Sequence, residues 1–434
     1  MASVFSSSFL CPLKTTKLRI IQSSQKPFLI NSLQLRELDP KIPQPVQTFW
    51  KWLCDEGVVS IKTPVKPGIV AEGLGLVANR DISKGETVLG VPKGSGSTQI
   101  KLQNLKLGIE KWKDDSKWKY YMAVLPESTD STIYWSQEEL SEIQGTQLLS
   151  TTLSVKEYVQ NEFQNVEEQV ILGNKQLFPF PITLDDFFWA FGILRSRAFS
   201  RGGIQNLMLV PFADLANHSV KVTTEDHIHE IGGPAGLFSW DLLFSFQSPL
   251  KLKAGDQFLI QYGLNKSNAD MAIGYGFIEP NSARDAFTLT LEISKTDDFN
   301  GDKLDIAESN SLGETADFDI KLGQSLPPSL FPYLRLVALG GTDNFLIESI
   351  SGNAVWNLLE LPVSRANEEL ICKVVRDSCR SALSGYHTTI EEDEKLMKEG
   401  NLSSRLQIAV GVRAGEKKVL QQLGDIFRKR TGTR

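Results

Sequence analysis

GDQFLIQYGLNKSNADMAIGYGFIEP, residues 255–280, joins two kinds of element in one stretch. Its first part, DQFLIQY, is predicted as a strand ending at Tyr262 and Gly263. An Asn-rich turn follows, and a short helix then leads to Tyr275, Gly276 and Phe277. The two Tyr-Gly pairs stand thirteen residues apart, the first at a strand end. Tyrosine supplies a hydroxyl that can orient an amine and a ring that can wall an apolar tunnel. Such a pair suits a narrow channel for a long amphipathic side chain.

Working outward, residues 207–277 read as β-rich, with strands LMLVPF, GLFSWDLLFSF and DQFLIQY between Gly, Pro and Asn turns. Before them, Thr183 and Asp186 form a predicted capping box for a helix, DDFFWAFGILRSRAFSR, apolar nearly all round and therefore buried. At its end Arg197 and Arg201, four apart, are expected to share a face where two guanidinium forks can meet a carboxylate or another anion. Cations complementing a helix C-terminus are the other reading. VPFADLANHS, residues 210–219, runs an apolar strand into Asp214, Asn217 and His218, although a lone histidine there is equally a structural one. His227 and His229 follow, but no HExxH-like spacing accompanies them, so no metal is expected.

Further upstream, residues 44–57 carry Val46, Phe49, Trp50 and Leu53 at helical spacing, and 68–92 change to short strands divided by turns. The glycines of AEGLGL, residues 71–76, permit a tight turn and close approach of backbone to a ligand. No GK[ST] follows, nor a helix with an acid about twenty residues on, so phosphate-loop and dinucleotide fingerprints are excluded and a plain hairpin turn stays open. A flexible GSGST at 94–98 precedes a helical region through Trp112, Trp118 and Tyr121. Beyond about residue 285 the periods turn helical, over 327–339, 367–385, 389–399 with a Thr389/Glu392 capping box, and 403–430. An all-helical C-terminal lobe is expected behind a β-rich catalytic candidate.

Composition sets the class. With 41% hydrophobic residues over 434 positions the chain is globular, and 46 Lys and Arg against 52 Asp and Glu give no overall basic field for nucleic acid. Four cysteines without a C-x-x-C pair exclude a disulfide scaffold; Cys372 and Cys379, seven apart, suit one helix face as free buried thiols. Residues 1–36 hold five basic residues, seven serines and no acid, a plastid-leaning organellar leader whose apolar stretches are too short for a secretory signal. No window reaches the roughly 18 apolar residues of a membrane span.

In this order AEGLG, PFADLANHS and the QYG and NADMAIGYGF segments resemble SET-domain protein lysine methyltransferases. Longer strings, among them GPAGLFSWD, LNKSNADMA, YGFIEP, YLRLVALGGTD and SALSGYHTTIE, resemble more narrowly the plant chloroplast Rubisco large-subunit methyltransferase family, whose members also methylate chloroplast fructose-bisphosphate aldolase. The resemblance runs from about 45 to 428. It implies an α+β chain: a chloroplast transit peptide at 1–40, a SET-domain β-fold at 45–285 with a helical insert at about 95–205, and an all-α substrate-binding lobe at 286–434. The implied function is S-adenosylmethionine-dependent methylation of lysine Nε on the Rubisco large subunit and/or the aldolase in the chloroplast stroma. It would be carried out by a monomer with no metal, nucleic acid or membrane involved.

Family roles fall on matching positions. Tyr262 resembles the catalytic residue that holds the amine. Glu72, Gly73, Leu74, Ser196, Arg197, Asn217, His218 and Tyr275 resemble cofactor contacts. Arg197, Arg201, Asp214, His229 and Tyr262 resemble contacts to the substrate lysine, with Phe199 and Ile260 as walls. The chain departs from the family after Lys93, where GSGSTQIKLQNLKLGIEKW replaces a W-x-N-P-type segment and apolar helix and is shorter, and its tail stops earlier. Gly263 and Gly274 stand where close relatives often carry Asp. The altered segment motivates an alternative, a catalytically impaired SET-fold protein that binds its client without turnover.

Overall fold

The computed structural model describes residues 38–39, 41–59, 62–92, 118–178, 181–200, 207–225, 228–230, 242–280, 283–349 and 352–432. The leader apart from residues 38 and 39, the segment 93–117, Arg201 and His227 lie outside the described residues. The chain forms two compact units, one from the described parts of Ser7–Ser128 and Tyr158–Leu264, the other from those of Thr129–Glu157 and Asn265–Arg434. The boundary falls within the helix Gln147–Val166.

The first unit holds strands β1 (Val65–Val70), β2 (Gly73–Ala78), β3 (Thr87–Pro92), β4 (Phe199–Ser200), β5 (Leu207–Met208), β6 (Asn217–His218), β7 (Ile228–Glu230), β8 (Leu242–Gln247) and β9 (Gln257–Ile260). β1 and β2 make the expected hairpin, from Val65 opposite Ala78 to Val70 opposite Gly73, where Gly73 takes φ 105°. β9 lies antiparallel to β2 and β6 parallel to β9, giving the order β1-β2-β9-β6. β3 does not extend the hairpin: it pairs with β8, which also pairs with β7. Phe49 and Leu53 of the helix Gln44–Asp55 enter the core with Leu76, Ile193, Phe212 and Phe258.

Two boundaries differ from expectation. β9 stops at Ile260 rather than Tyr262, because the Tyr262 N–H leaves the ladder for a side chain, His218 Nδ1. The helix capped by Thr183 and Asp186 ends at Arg197; Ala198 is extended, with φ −80° and ψ 135°, and Phe199 starts β4. The helix therefore stops at Arg197, while Arg201 lies outside the described residues.

In the second unit, the helix Asn268–Tyr275 opens on a Ser267/Asp270 capping box and closes on Gly276, whose φ of 79° is the left-handed stop that glycine accepts most readily. The region after 285 is not all helical. β10 (Ala286–Glu292) pairs antiparallel with β11 (Thr315–Lys321), and Ala316, Phe318 and Ile320 of β11 are buried alternately, a period of two that only a strand can point inward. Helices Asn300–Ser309, Leu330–Val337, Phe345–Ser349, Gly352–Leu359, Arg365–Leu383, Ile390–Glu399 and Ser404–Gly432 belong to the same unit. Their core includes Val355, Ile371, Val375, Val419, Leu423 and Phe427. Cys372 and Cys379 both lie buried on Arg365–Leu383. The Thr389/Glu392 capping box is formed.

Candidate active site

The site is organised around residues 212–218. Phe212 has φ 83° and ψ −51°, a conformation that costs a bulky L-residue about 1–3 kcal/mol. Its fully buried ring packs 5.6 Å from Trp50, and that burial offsets the strain. The 3₁₀ turn Ala213–Leu215 follows, held by Asp214 N–H on Val210 O, Leu215 N–H on Phe212 O and Ala216 N–H on Ala213 O.

The Asp214 side chain is 0% exposed. Its Oδ2 accepts the Tyr121 hydroxyl at 2.6 Å and Arg197 Nη1 at 3.1 Å, and the same Nη1 reaches Asp214 O at 3.0 Å. Oδ1 has no partner among the described residues. Burial holds the Asp214 carboxyl above its ordinary value, opposed by the Arg197 charge and the Tyr121 hydrogen bond. Burial also works against the Arg197 charge, but Asp214 and Tyr121 outweigh it and raise that group. Burial first, and then Asp214, keep the Tyr121 phenol well above its ordinary range.

Next along the chain, Ala216 O accepts the Tyr262 hydroxyl at 2.9 Å, while the Tyr262 N–H donates to His218 Nδ1 at 3.2 Å. That bond fixes Nδ1 as the acceptor, so the neutral imidazole carries its proton on Nε2. The two rings lie 5.2 Å apart. Asn217 Nδ2 donates to Leu74 O at 3.3 Å and ties β6 to β2. A Cβ on Gly75 would stand 2.9 Å from Asn217 Nδ2 and 3.1 Å from Gln257 Nε2, so only glycine leaves room for both amides. Gln257 Nε2 is buried with no partner among the described residues.

Of the residues read from sequence, Leu74, Arg197, Asp214, Asn217, His218 and Tyr262 are joined by this bonding. Glu72 is exposed at the hairpin turn beside Gly73. The Ser196 hydroxyl turns back onto its own helix, at 2.8 Å from Gly192 O. Ile260 is buried, and Phe199 packs 5.3 Å from Phe246. His229 stands opposite Ser245 in the β7–β8 ladder. Tyr275 belongs to the second unit, where Lys266 Nζ lies 5.8 Å over its ring and Phe277 6.1 Å away. Tyr121, Phe212 and Gln257 were not legible as site residues. Tyr121 showed only as part of a helical period, and nothing in the string marks a positive φ at a phenylalanine.

The family model described as Rubisco LSMT substrate-binding matches residues 294–420. The chain is 74% identical, over 458 aligned positions covering 99% of this chain and 93% of the relative, to the chloroplastic ribulose-1,5-bisphosphate carboxylase/oxygenase large subunit N-methyltransferase of Nicotiana tabacum. Those 458 positions exceed the 434 residues of the chain, so the relative carries residues that this chain lacks. It is 55% identical to the chloroplastic fructose-bisphosphate aldolase-lysine N-methyltransferase of Arabidopsis thaliana, over 94% of this chain and 90% of that one. Among solved structures, the SET domain of LSMT bound to lysine and AdoHcy superposes with a TM-score of 0.82 at 59% identity, covering 90% of this chain and 92% of the other.

Proposed function

The chain belongs to the Rubisco large-subunit methyltransferase family of SET-domain protein lysine N-methyltransferases, and from that premise we propose how its residues act. It is an S-adenosylmethionine-dependent methyltransferase of lysine Nε on chloroplast proteins, the Rubisco large subunit and/or fructose-bisphosphate aldolase. The observation that carries the mechanism is the commitment of the Tyr262 proton to Ala216 O. A phenol has one proton to give, so toward a substrate amine this oxygen is an acceptor. It takes an N–H of the target lysine and leaves the nitrogen lone pair to face away from Tyr262.

The residues present fit the cofactor. The bare backbone at Gly75, the amides of Asn217 and Gln257, the imidazole of His218 and the Leu74 side chain make a donor set with an apolar edge, suited to a nucleoside. Leu74, Asn217 and His218 would hold it, with Glu72 and Gly73 at the turn. When bound, S-adenosylmethionine supplies an activated methyl group for transfer to the amine. The chain's own residues contribute position and exclusion of water: Tyr262 orients the amine, Arg197 and Asp214 line the lysine side, and buried Ile260 disfavours a charged amine. The segment 294–420 docks the folded client, and the enzyme works as a monomer in the stroma.

Radiolabel from S-adenosylmethionine is expected in one of the two clients, mapped to lysine by mass spectrometry. Tyr262→Phe should lower transfer about a hundredfold with little change in thermal midpoint. Full activity in that variant removes Tyr262 from the chemistry, and tight client binding without any transfer by the wild type selects the non-catalytic reading.

A further inference from the structure

We propose that Tyr121 is a positioning residue of this site, holding Asp214 so that the turn 214–216 offers the Ala216 carbonyl to the Tyr262 hydroxyl. Its effect on turnover rests on the transferase reading; its effect on the turn does not.

Two phenols grip one short segment from its two ends. The Tyr121 hydroxyl is 2.6 Å from Asp214 Oδ2 and the Tyr262 hydroxyl 2.9 Å from Ala216 O. The segment starts from a strained residue, Phe212 at φ 83°, so its shape depends on what holds it from outside. Tyr121 is well placed to do so. Its ring is 0% exposed and packs 5.9 Å from Trp118 and 6.0 Å from Phe49, which fixes where the hydroxyl stands. Arg197 is a weaker holder, because its single Nη1 is shared between the Asp214 carboxylate and the Asp214 carbonyl. Without the phenol, a fully buried carboxylate keeps only that shared donor among the described residues. The charged and titratable groups around Asp214 are Tyr121 and Arg197, with Tyr262 acting on Arg197.

Tyr121→Phe keeps the ring and removes one oxygen. We expect kcat to fall about tenfold, client KM to stay within about twofold, and S-adenosylhomocysteine binding, read by calorimetry, to weaken about threefold. In an Asp214→Asn background the same substitution should add nothing to either readout, since Tyr121 acts through that carboxylate. Unchanged kcat and binding in Tyr121→Phe, or losses that multiply independently with those of Asp214→Asn, overturn the proposal. A wild type that binds S-adenosylhomocysteine yet transfers no methyl overturns the transferase reading instead, and the binding arm still decides Tyr121. Should Tyr121→Phe not fold, Asp214→Asn alone, with the ring intact, must lower kcat at constant client KM; no loss there overturns the proposal as well.

Discussion

Buried charge is wired differently in the two units. In the second, each large buried cation ends on a carboxylate and on main-chain carbonyls at once. Lys303 reaches Asp297 at 2.6 Å and Leu339 O at 2.8 Å; Arg335 reaches Glu368 at 2.6 Å and Leu359 O and Glu360 O at 2.7 and 2.8 Å. Arg413 reaches Asp393 and Glu142 O, both at 2.8 Å, and Lys417 reaches Asp393 Oδ2 at 2.6 Å and Thr388 O at 2.8 Å. These cations close helix ends and loops that would otherwise bury bare carbonyls. In the first unit, Arg197 divides one nitrogen, Asp214 Oδ1 has no partner among the described residues, and a strained Phe212 sits two residues away. Among the described residues, Asp393 Oδ2 of the second unit also lacks a hydrogen bond, but it stands 2.6 Å from Lys417 Nζ as an ion pair; the other orphaned acceptors there, on Asn344 and Asn367, are neutral amides, a smaller burial cost than a carboxylate's. Charge matched to capacity marks a frame, and the spare capacity at Asp214 is what the proposed lysine side would draw on.

The largest effect should come from breaking the frame. Asp393→Ala leaves Arg413 and Lys417 buried without their shared acid, and should destabilise the protein by about 3–5 kcal/mol in urea unfolding. A loss below about 1 kcal/mol would mean that the carbonyls, together with Glu142 Oε2 at 2.8 Å from Arg413, satisfy the two cations. Glu416 sharpens the contrast, being a buried acid of the second unit held by the Tyr386 hydroxyl at 2.7 Å and the Gln147 N–H at 3.0 Å rather than by a cation. Burial pushes its carboxyl from 4.5 up to about 7. Between those values the folded chain keeps a proton that the unfolded chain has lost. This contribution is therefore complete below pH about 4.5 and falls by roughly 3 kcal/mol as pH rises through about 7. Glu416→Gln should flatten that slope; identical pH profiles of urea stability for variant and wild type would count against it. The smallest effect tests whether ordinary helix ends behave alike in both units. Thr183→Ala and Thr389→Ala each remove a capping-box hydroxyl and should cost about 1 kcal/mol, read by thermal unfolding.

What the sequence revealed was mostly local. Thr183, Asp186, Thr389 and Glu392 announce their helix starts within four residues, and the β1–β2 hairpin is written in AEGLG. The alternation of TADFDIK was present too, but a helical reading of the surrounding region covered it, and the two-stranded β10–β11 pair was missed. The end of that helix at Arg197 was not legible, because periodicity says nothing about where a helix stops, and Ala198 turns extended. Contacts between distant segments left no trace in the string: Tyr121 meets Asp214 across 93 positions, and β3 pairs with β8 rather than with its neighbour. Phe212 is the limiting case, since its backbone is set by the burial of its ring and not by any preference of phenylalanine.

The parallel contact between β6 and β9 carries a consequence in time. It is only two residues long, Asn217 with Leu259 and His218 with Ile260, and it places the Ala216 carbonyl where Tyr262 can reach it. Such a short pairing cannot form until the intervening chain has closed, and loop closure between distant segments is the slow part of folding. On the ribosome, β2, Tyr121 and Arg197 all emerge before residue 262 exists. Methyl transfer should be among the last properties to return when the unfolded protein is allowed to refold.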